Sequence, residues 1–351
     1  MTEIVIWAQS ICRSTMDLYR EVKRLRDDVD VTVVLRRDER GEDVRKLREA
    51  QGQGDYSDVV DRVWDGKVKS GIEFLDLGAV HVFSGYQSCR AVRELMVEAK
   101  RRALRVVEYD EAPCEMCLGV KGALKRLYYA MILPMRVRRA VKAADLFISA
   151  SGNMGMDRLV RLGWKREAIV PFGYASGSLA VSGQRLAVSG QRLAVEGRIL
   201  RVLHTGIEAK YRGADVLRRA AASLKGRGVE LEVKFTGGKI DVAQLPGLYE
   251  WADVVVACGL CEPWGMRVND VLLEGLPVVV SDGMGAAMLC DEFGCECVVP
   301  KGDVEALAAV LRRCADDREF LGRLKSGAIK ASKALLPENK AREWVGKVIG
   351  R

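Results

Sequence analysis

Short runs rich in β-branched residues alternate with helix-patterned segments along nearly the whole chain, and this alternation constrains the fold more than any other feature. In the first half, "EIVIWA", "VDVTVVLRR", "AVHVFSG", "LRVVEYD" and "DLFISAS" have the length and composition of buried strands. Between them lie segments such as "STMDLYREVKRLRD" and "CRAVRELMVEAKRRA", with apolar residues three and four apart. The second half repeats the scheme with "ILRVLHTG", "LEVKFTGG", "DVVVACG", "PVVVSDG" and "CECVVPKG", and with the helix pattern "GADVLRRAAASLKGRG". Strands separated by helices pair in parallel through right-handed crossovers. The 351 residues exceed what one ordinary core holds. The expected fold class is therefore α/β, with two Rossmann-like, doubly wound parallel-sheet domains.

Between the halves, "LAVSGQRLAVSGQRLAVEGR", Leu179 to Arg198, repeats every seven residues. A glycine in each unit weakens a helix by about 1 kcal/mol, and the run is shorter than the three or four heptads a coiled coil needs. It is expected to be a linker insertion. The expected organisation is residues 1–175 as the first domain, 176–198 as linker and 199–351 as the second, with the last helix returning to the first.

A net charge of +8 comes from 56 bases offset by 48 acids. That balance argues against a dedicated nucleic-acid binder and permits attraction to anionic substrates or membranes. No apolar run approaches 18 residues, and the opening "MTEIVIWAQS" begins a strand without a basic, then apolar, leader. The expected location is the cytoplasm, with the ten cysteines reduced and mostly serving as small core residues. Two C-x-x-C pairs, Cys114 with Cys117 and Cys258 with Cys261, lie far apart with no histidine beside them, so no metal is expected.

The chemistry concentrates in "EPWGMRVNDVLLEGLPVVVSD", Glu262 to Asp282. "ADVVVACGLCEPWG" leaves the carboxyl end of a parallel strand, the edge where open α/β sheets bind ligands. Glu262 lies in that exit loop, and the helix begun at "GMRVNDVLLEG" points its partly positive N-terminus at the same edge. Asp270 follows about two turns later. The next strand's exit loop, "SDGMGAA", adds Gly283 and Gly285. Backbone amides for a diphosphate and a carboxylate for sugar hydroxyls make this a candidate sugar-nucleotide site. The alternative is an ordinary helix-start acid with a surface aspartate beyond it.

The segment "LYEWADVVVACGLCEPWGMRVNDVLLEGLPVVVSDGMGA" resembles the donor-site signature of family-four retaining glycosyltransferases, of the group 1 type and the GT-B fold. That signature has two acids separated by seven residues, a Gly-Leu-Pro-Val-Val strand and a glycine-rich loop. An Ala-Asp pair opens the preceding strand, here Ala252 and Asp253. The resemblance continues through "VVPKGDVEALAAVLRRCADDREFLGRLKSGA" and is strong from about Leu200 to Ala331.

The resemblance implies that Glu262 binds the donor sugar. The amides around Gly265 and Met266 would approach the diphosphate, and Asp270, one methylene shorter than the family's glutamate, would serve the ribose. In "HTGIEAKYRGAD", Gly206 and Gly213 keep the family spacing. Ile207 stands where an arginine is expected and Arg212 where a lysine is usual, with Lys210 near. Arg212 is the leading candidate for leaving-group stabilisation. The co-substrate is a nucleoside-diphosphate sugar and no cofactor or metal is implied. The implied function is retaining transfer of a hexose or N-acetylhexosamine to a glycan or lipid-linked hydroxyl in surface polysaccharide synthesis. A sugar-nucleotide epimerase of the same fold and a non-catalytic nucleotide-sugar-binding subunit are the alternatives.

By the same resemblance the first domain receives the acceptor, with the reaction in the cleft between domains. Ser10 follows its first strand, and His81 is expected to be a strand histidine. Asp110, beside Glu111, falls where relatives carry a catalytic histidine and is the candidate for orienting or deprotonating the acceptor hydroxyl. From Lys121 to Lys142 the chain carries seven bases and no acid, interleaved with Tyr128, Tyr129, Met131, Ile132 and Leu133. An anionic membrane surface, at the inner face of the plasma membrane, is the expected partner of this stretch; an ordinary solvated helix pair is the alternative. Pro134 is expected to break the helix there.

Overall fold

The computed structural model describes residues 1–9, 12–25, 29–37, 56–114, 119–175, 199–206, 209–237, 244–294 and 297–350. The Leu179–Arg198 repeat, Ser10, Cys117 and Ile207 lie outside the described residues. The chain divides into two units, Met1–Ser176 with Pro337–Arg351, and Gly177–Leu336.

The first unit holds seven strands: β1 (Thr2–Ala8), β2 (Val29–Arg36), β3 (Arg62–Trp64), β4 (Val80–Phe83), β5 (Arg105–Asp110), β6 (Leu146–Ser149) and β7 (Ile169–Pro171). They are ordered β3-β2-β1-β4-β5-β6-β7, every pairing parallel. The second unit holds β8 (Leu200–His204), β9 (Leu231–Phe235), β10 (Val254–Ala257), β11 (Val278–Ser281) and β12 (Val298–Val299). Their order is β12-β11-β10-β8-β9, again all parallel. The inner strands are apolar on both sides because helices cover both faces; every residue of β10 and β11 is buried. Strands β3 and β7 escape sequence pattern recognition because three residues carry no period.

One device recurs where strands begin. Asp61, Asp145 and Asp253 each donate their backbone N–H to a neighbouring strand, at Val33 O (3.0 Å), Val106 O (2.7 Å) and Arg201 O (2.9 Å). Each carboxylate then accepts the N–H of that same residue, at 2.8, 2.9 and 2.9 Å. The reciprocal pair satisfies a ladder end and sets the parallel register. Asp253 of the sequence signature thus fixes the start of β10 against β8.

The helix Pro337–Ile349 belongs to the first unit. Its Trp344 is fully buried in the same apolar cluster as Tyr19 and Tyr109, each ring centroid 6.0 Å away. Arg105 Nε donates to Val348 O at 2.9 Å.

Pro134 does not break the helix around it. The chain runs helically through Gly119–Leu127, a π turn at Tyr128–Ile132 and Leu133–Ala143. Proline lacks the N–H that would bond four residues back, and the wider π turn just before it accommodates that missing bond. Among the described residues, no helix is long and apolar enough to cross a membrane.

Candidate functional site

In the second sheet the chain lays β9 on one side of β8 and then starts the other side with β10. The reversal of order falls between β8 and β10, so their exit loops diverge and open a crevice at the carboxyl edge. The first loop carries Gly206 and Arg212; the second carries Glu262 and leads into the helix Met266–Leu273.

Glu262 is 4% exposed and held by two arginines. Its Oε1 accepts from Arg267 Nη2 at 2.5 Å and its Oε2 from Arg212 Nη1 at 3.1 Å. Arg267 also donates from Nη1 to Thr205 O at 3.0 Å, tying the helix to the exit of β8. Burial pulls the Arg267 guanidinium below its usual range, while the Glu262 carboxylate draws it back up. Three buried polar atoms of this cluster, Thr205 Oγ1, Arg212 Nε and Arg267 Nε, have no hydrogen-bond partner among the described residues. Two guanidiniums and one carboxylate leave a net positive charge, at a helix N-terminus whose first amides lack intrahelical acceptors. Such a place favours an anion.

The glycines have distinct tasks. Gly265 starts the helix at φ +104°, and a side-chain carbon there would lie 2.2 Å from the Met284 methyl and 3.7 Å from Glu262 Oε2. Gly213 caps its helix at φ +73°, where a side-chain carbon would meet Cys258 O at 1.9 Å. Gly283 and Gly285 align Glu262 itself: Glu262 N donates to Gly283 O at 2.9 Å, and Gly285 N to Glu262 O at 3.2 Å. This forms a parallel bridge between Glu262 and Met284. Gly206, at φ +113°, donates to Thr236 Oγ1 at 3.0 Å and lies beside both guanidiniums.

The structure brings Gly206, Arg212, Glu262, Gly265, Met266, Gly283 and Gly285 together at one edge. Lys210 sits in the same turn as Arg212 with its side chain exposed. Asp270 is half-buried on the fifth residue of the helix. Sequence reasoning missed Arg267: a lone base between Met266 and Val268, with Asp270 and Glu274 on its side of the helix, gives no distinctive signal. Cys258 is a core thiol donating to Gly213 O at 3.0 Å, its pKa pushed up to about 11 by burial.

In the first unit, Asp110 ends β5 half-buried. Its Oδ2 accepts from Gly85 N at 3.1 Å and its Oδ1 from Glu111 N at 2.7 Å. Burial raises its pKa to about 7 against the pull of those amides. Glu111 Oε1 accepts from Tyr174 OH at 3.1 Å. Beneath Asp110, fully buried Glu108 accepts from Tyr86 N at 3.3 Å, and burial holds its carboxyl well above the usual range. His81 is a core residue: Trp7 Nε1 donates to its Nδ1 at 3.1 Å, and its Nε2 faces Gly78 O at 3.0 Å. These partners fix the neutral Nε2–H tautomer, and burial lowers its pKa to about 4.

Residues 192–317 match the family model described as glycosyl transferases group 1. Among solved structures, HepE of Anabaena bound to UDP is similar, with a TM-score of 0.67 and 17% identity over 99% of this chain and 100% of its own. The lipopolysaccharide outer core galactosyltransferase WaaB gives 0.62 and 9% over 100% and 99%. A Listeria monocytogenes protein described as a UDP-N-acetylglucosamine 2-epimerase gives 0.50 and 11% over 98% and 95%. No curated protein matches the sequence. At such identities the structural likeness establishes the fold, which is GT-B.

Proposed function

We propose that this chain, whose second unit carries a group 1 glycosyltransferase domain, is a retaining glycosyltransferase. It would move a hexose or N-acetylhexosamine from a nucleoside diphosphate to a hydroxyl of a glycan or lipid-linked acceptor, in bacterial surface polysaccharide synthesis. The observation that carries this reading is the Arg212–Glu262–Arg267 cluster at the switch point of the second sheet, inside the segment matched by the family model. Because HepE was solved with UDP and with UDP-glucose, uridine nucleotides are the first donors to try.

Transfer breaks the bond between the anomeric carbon and the β-phosphate oxygen, and the electron pair leaves with the diphosphate. Fixed positive groups at the place where that charge grows lower the barrier. Arg212, partly exposed beside the helix N-terminus, takes that role, with the Gly265 and Met266 amides beside it. Arg267 supplies a second buried cation. The Glu262 carboxylate positions both guanidiniums and offers its remaining lone pairs to donor hydroxyls. Gly206 lets the chain pass close to the guanidiniums, and Gly283 and Gly285 hold Glu262 in place. Asp270 would serve the ribose and Lys210 the outer phosphate. The new bond forms on the same face of the sugar, with the acceptor proton passing to the departing phosphate. Asp110 orients the acceptor hydroxyl, and no metal enters the scheme.

Labelled UDP-, GDP- and ADP-sugars incubated with the protein, with and without EDTA, test the reading. Transfer or slow hydrolysis that persists with EDTA supports it. Isomerisation would instead favour the epimerase reading, which the likeness to the Listeria protein keeps in play. Binding without turnover would favour a non-catalytic subunit.

A further inference from the structure

The helical run from Gly119 to Ala143 has two unlike faces. Its inner side, with Leu133, Val137 and Ala140, is buried in the core of the first unit. Its outer side presents Val120, Leu124, Leu127, Met131, Ile132 and Met135, each between 46% and 77% exposed. Five of them, at 120, 124, 127, 131 and 135, step by three or four residues and so form one stripe along the helix. Among the described residues, six of the thirteen exposed large apolar side chains fall within these sixteen positions. Scattered singly they would need no explanation; as a contiguous stripe they do.

Cations flank the stripe. Lys121, Arg126, Arg136, Arg138, Arg139 and Lys142 are exposed, and Lys125 sits 5.6 Å over the Tyr129 ring. Beside the stripe, a groove of about 550 Å³ runs between this segment and the helix Arg90–Arg101. Five arginines line it against only two acids, Glu94 and Glu98. Those acids already have bases: Glu94 pairs with Arg90 at 2.6 Å, and Glu98 with Arg102 at 3.3 Å. Arg136 donates to Tyr128 OH, and neither it nor Arg139 has a carboxylate partner among the described residues.

We infer that this face docks on a bilayer containing anionic phospholipids. The apolar stripe enters the boundary between headgroups and acyl chains, and the arginine groove receives headgroup phosphates. A narrow apolar stripe between long cationic side chains suits an interface some 5–10 Å deep. A second copy of the chain would bring like charges together. The inference stands independently of glycosyl transfer.

Flotation of the full chain with vesicles tests it. Binding is expected to vesicles containing phosphatidylglycerol at low salt, falling sharply at high salt and with pure phosphatidylcholine. Leu124→Ser with Met131→Ser and Met135→Ser, all at exposed positions, should weaken anionic-vesicle binding at least tenfold while leaving the melting temperature unchanged. Arg136→Gln with Arg139→Gln should lose about fivefold per charge, the equivalent of about 1 kcal/mol each. No flotation at low salt would overturn the inference, as would equal binding to neutral vesicles or an apolar variant that floats like wild type. So would a dimer in solution that dissociates on Leu124→Ser, which would make the stripe a contact between copies.

Discussion

Arg267 Nη2 lies 2.5 Å from Oε1 of Glu262, a carboxylate whose other oxygen is 3.1 Å from Arg212 Nη1. Glu262 therefore pairs with two cations, one from the turn after β8 and one from the helix Met266–Leu273, the latter almost wholly buried. Its removal strands charge as well as removing the proposed ligand for sugar.

Glu262→Ala is accordingly expected to destabilise the second unit by about 3–5 kcal/mol, the usual cost of breaking a buried ion pair from one side. Glu262→Gln, which keeps the shape, should cost less, and both should lose donor turnover. Urea unfolding of the two variants checks this. A loss below about 1 kcal/mol in the alanine variant would mean that the carboxylate does not hold the cluster.

Arg212 faces the proposed anion site from a partly exposed position, so its replacement should act on binding more than on folding. Arg212→Met is expected to weaken nucleoside diphosphate binding at least tenfold, with Arg212→Lys intermediate because it keeps charge but loses the forked donor geometry. Calorimetric titration with UDP and GDP reads both. Equal affinity in all three proteins would remove Arg212 from the site.

Two glycines at opposite ends of one helix should behave in opposite ways. Gly213→Ala places a carbon 1.9 Å from Cys258 O in a left-handed conformation, and should cost more than about 3 kcal/mol. Gly226→Ala meets nothing within 4 Å at the end of Ala214–Gly226, and should change stability by under about 1 kcal/mol, in the stabilising direction. Denaturation midpoints decide it; comparable values would show that the turn at Gly213 relaxes.

The first unit carries titrations of opposite sign, of which Asp110 and His81 are the two with a definite window. Asp110, raised to about 7, keeps its proton in the folded protein while the unfolded chain loses it near pH 4, so stability falls as pH climbs between those values. His81, lowered to about 4, stays neutral in the fold while the unfolded chain binds a proton below about 6.5, so stability rises with pH across that window. Asp110→Asn should shift the slope of stability between pH 4.5 and 7.5 toward the positive. If Asp110 also serves the acceptor hydroxyl, transfer should rise with pH through about 7, and the variant should lose that limb. An unchanged slope would place the carboxyl in solvent.

Much of the site was legible because its signals are local. Glu262 after a buried strand, Gly265 before a helix and Gly213 between a turn and a helix are each written within a few residues. Arg267 was not legible. A lone base in "GMRVNDVLL" has no periodic signature, and its partner Thr205 O lies 62 positions away. Gly283 and Gly285 were expected to line the donor site; what their position in the sequence did not reveal is that their backbone groups align Glu262. Pro134 was expected to end a helix, which a π turn carries through.

By itself the sequence determined the alternation of strand and helix, and with it parallel sheets covered on both faces, because β-branched runs and amphipathic spacing are properties of neighbouring residues. Only the tertiary structure decided which cations meet the Glu262 carboxylate and which apolar side chains of Gly119–Ala143 stay uncovered. Those outcomes depend on strand order and on which helix face meets a sheet, and a one-dimensional pattern encodes neither.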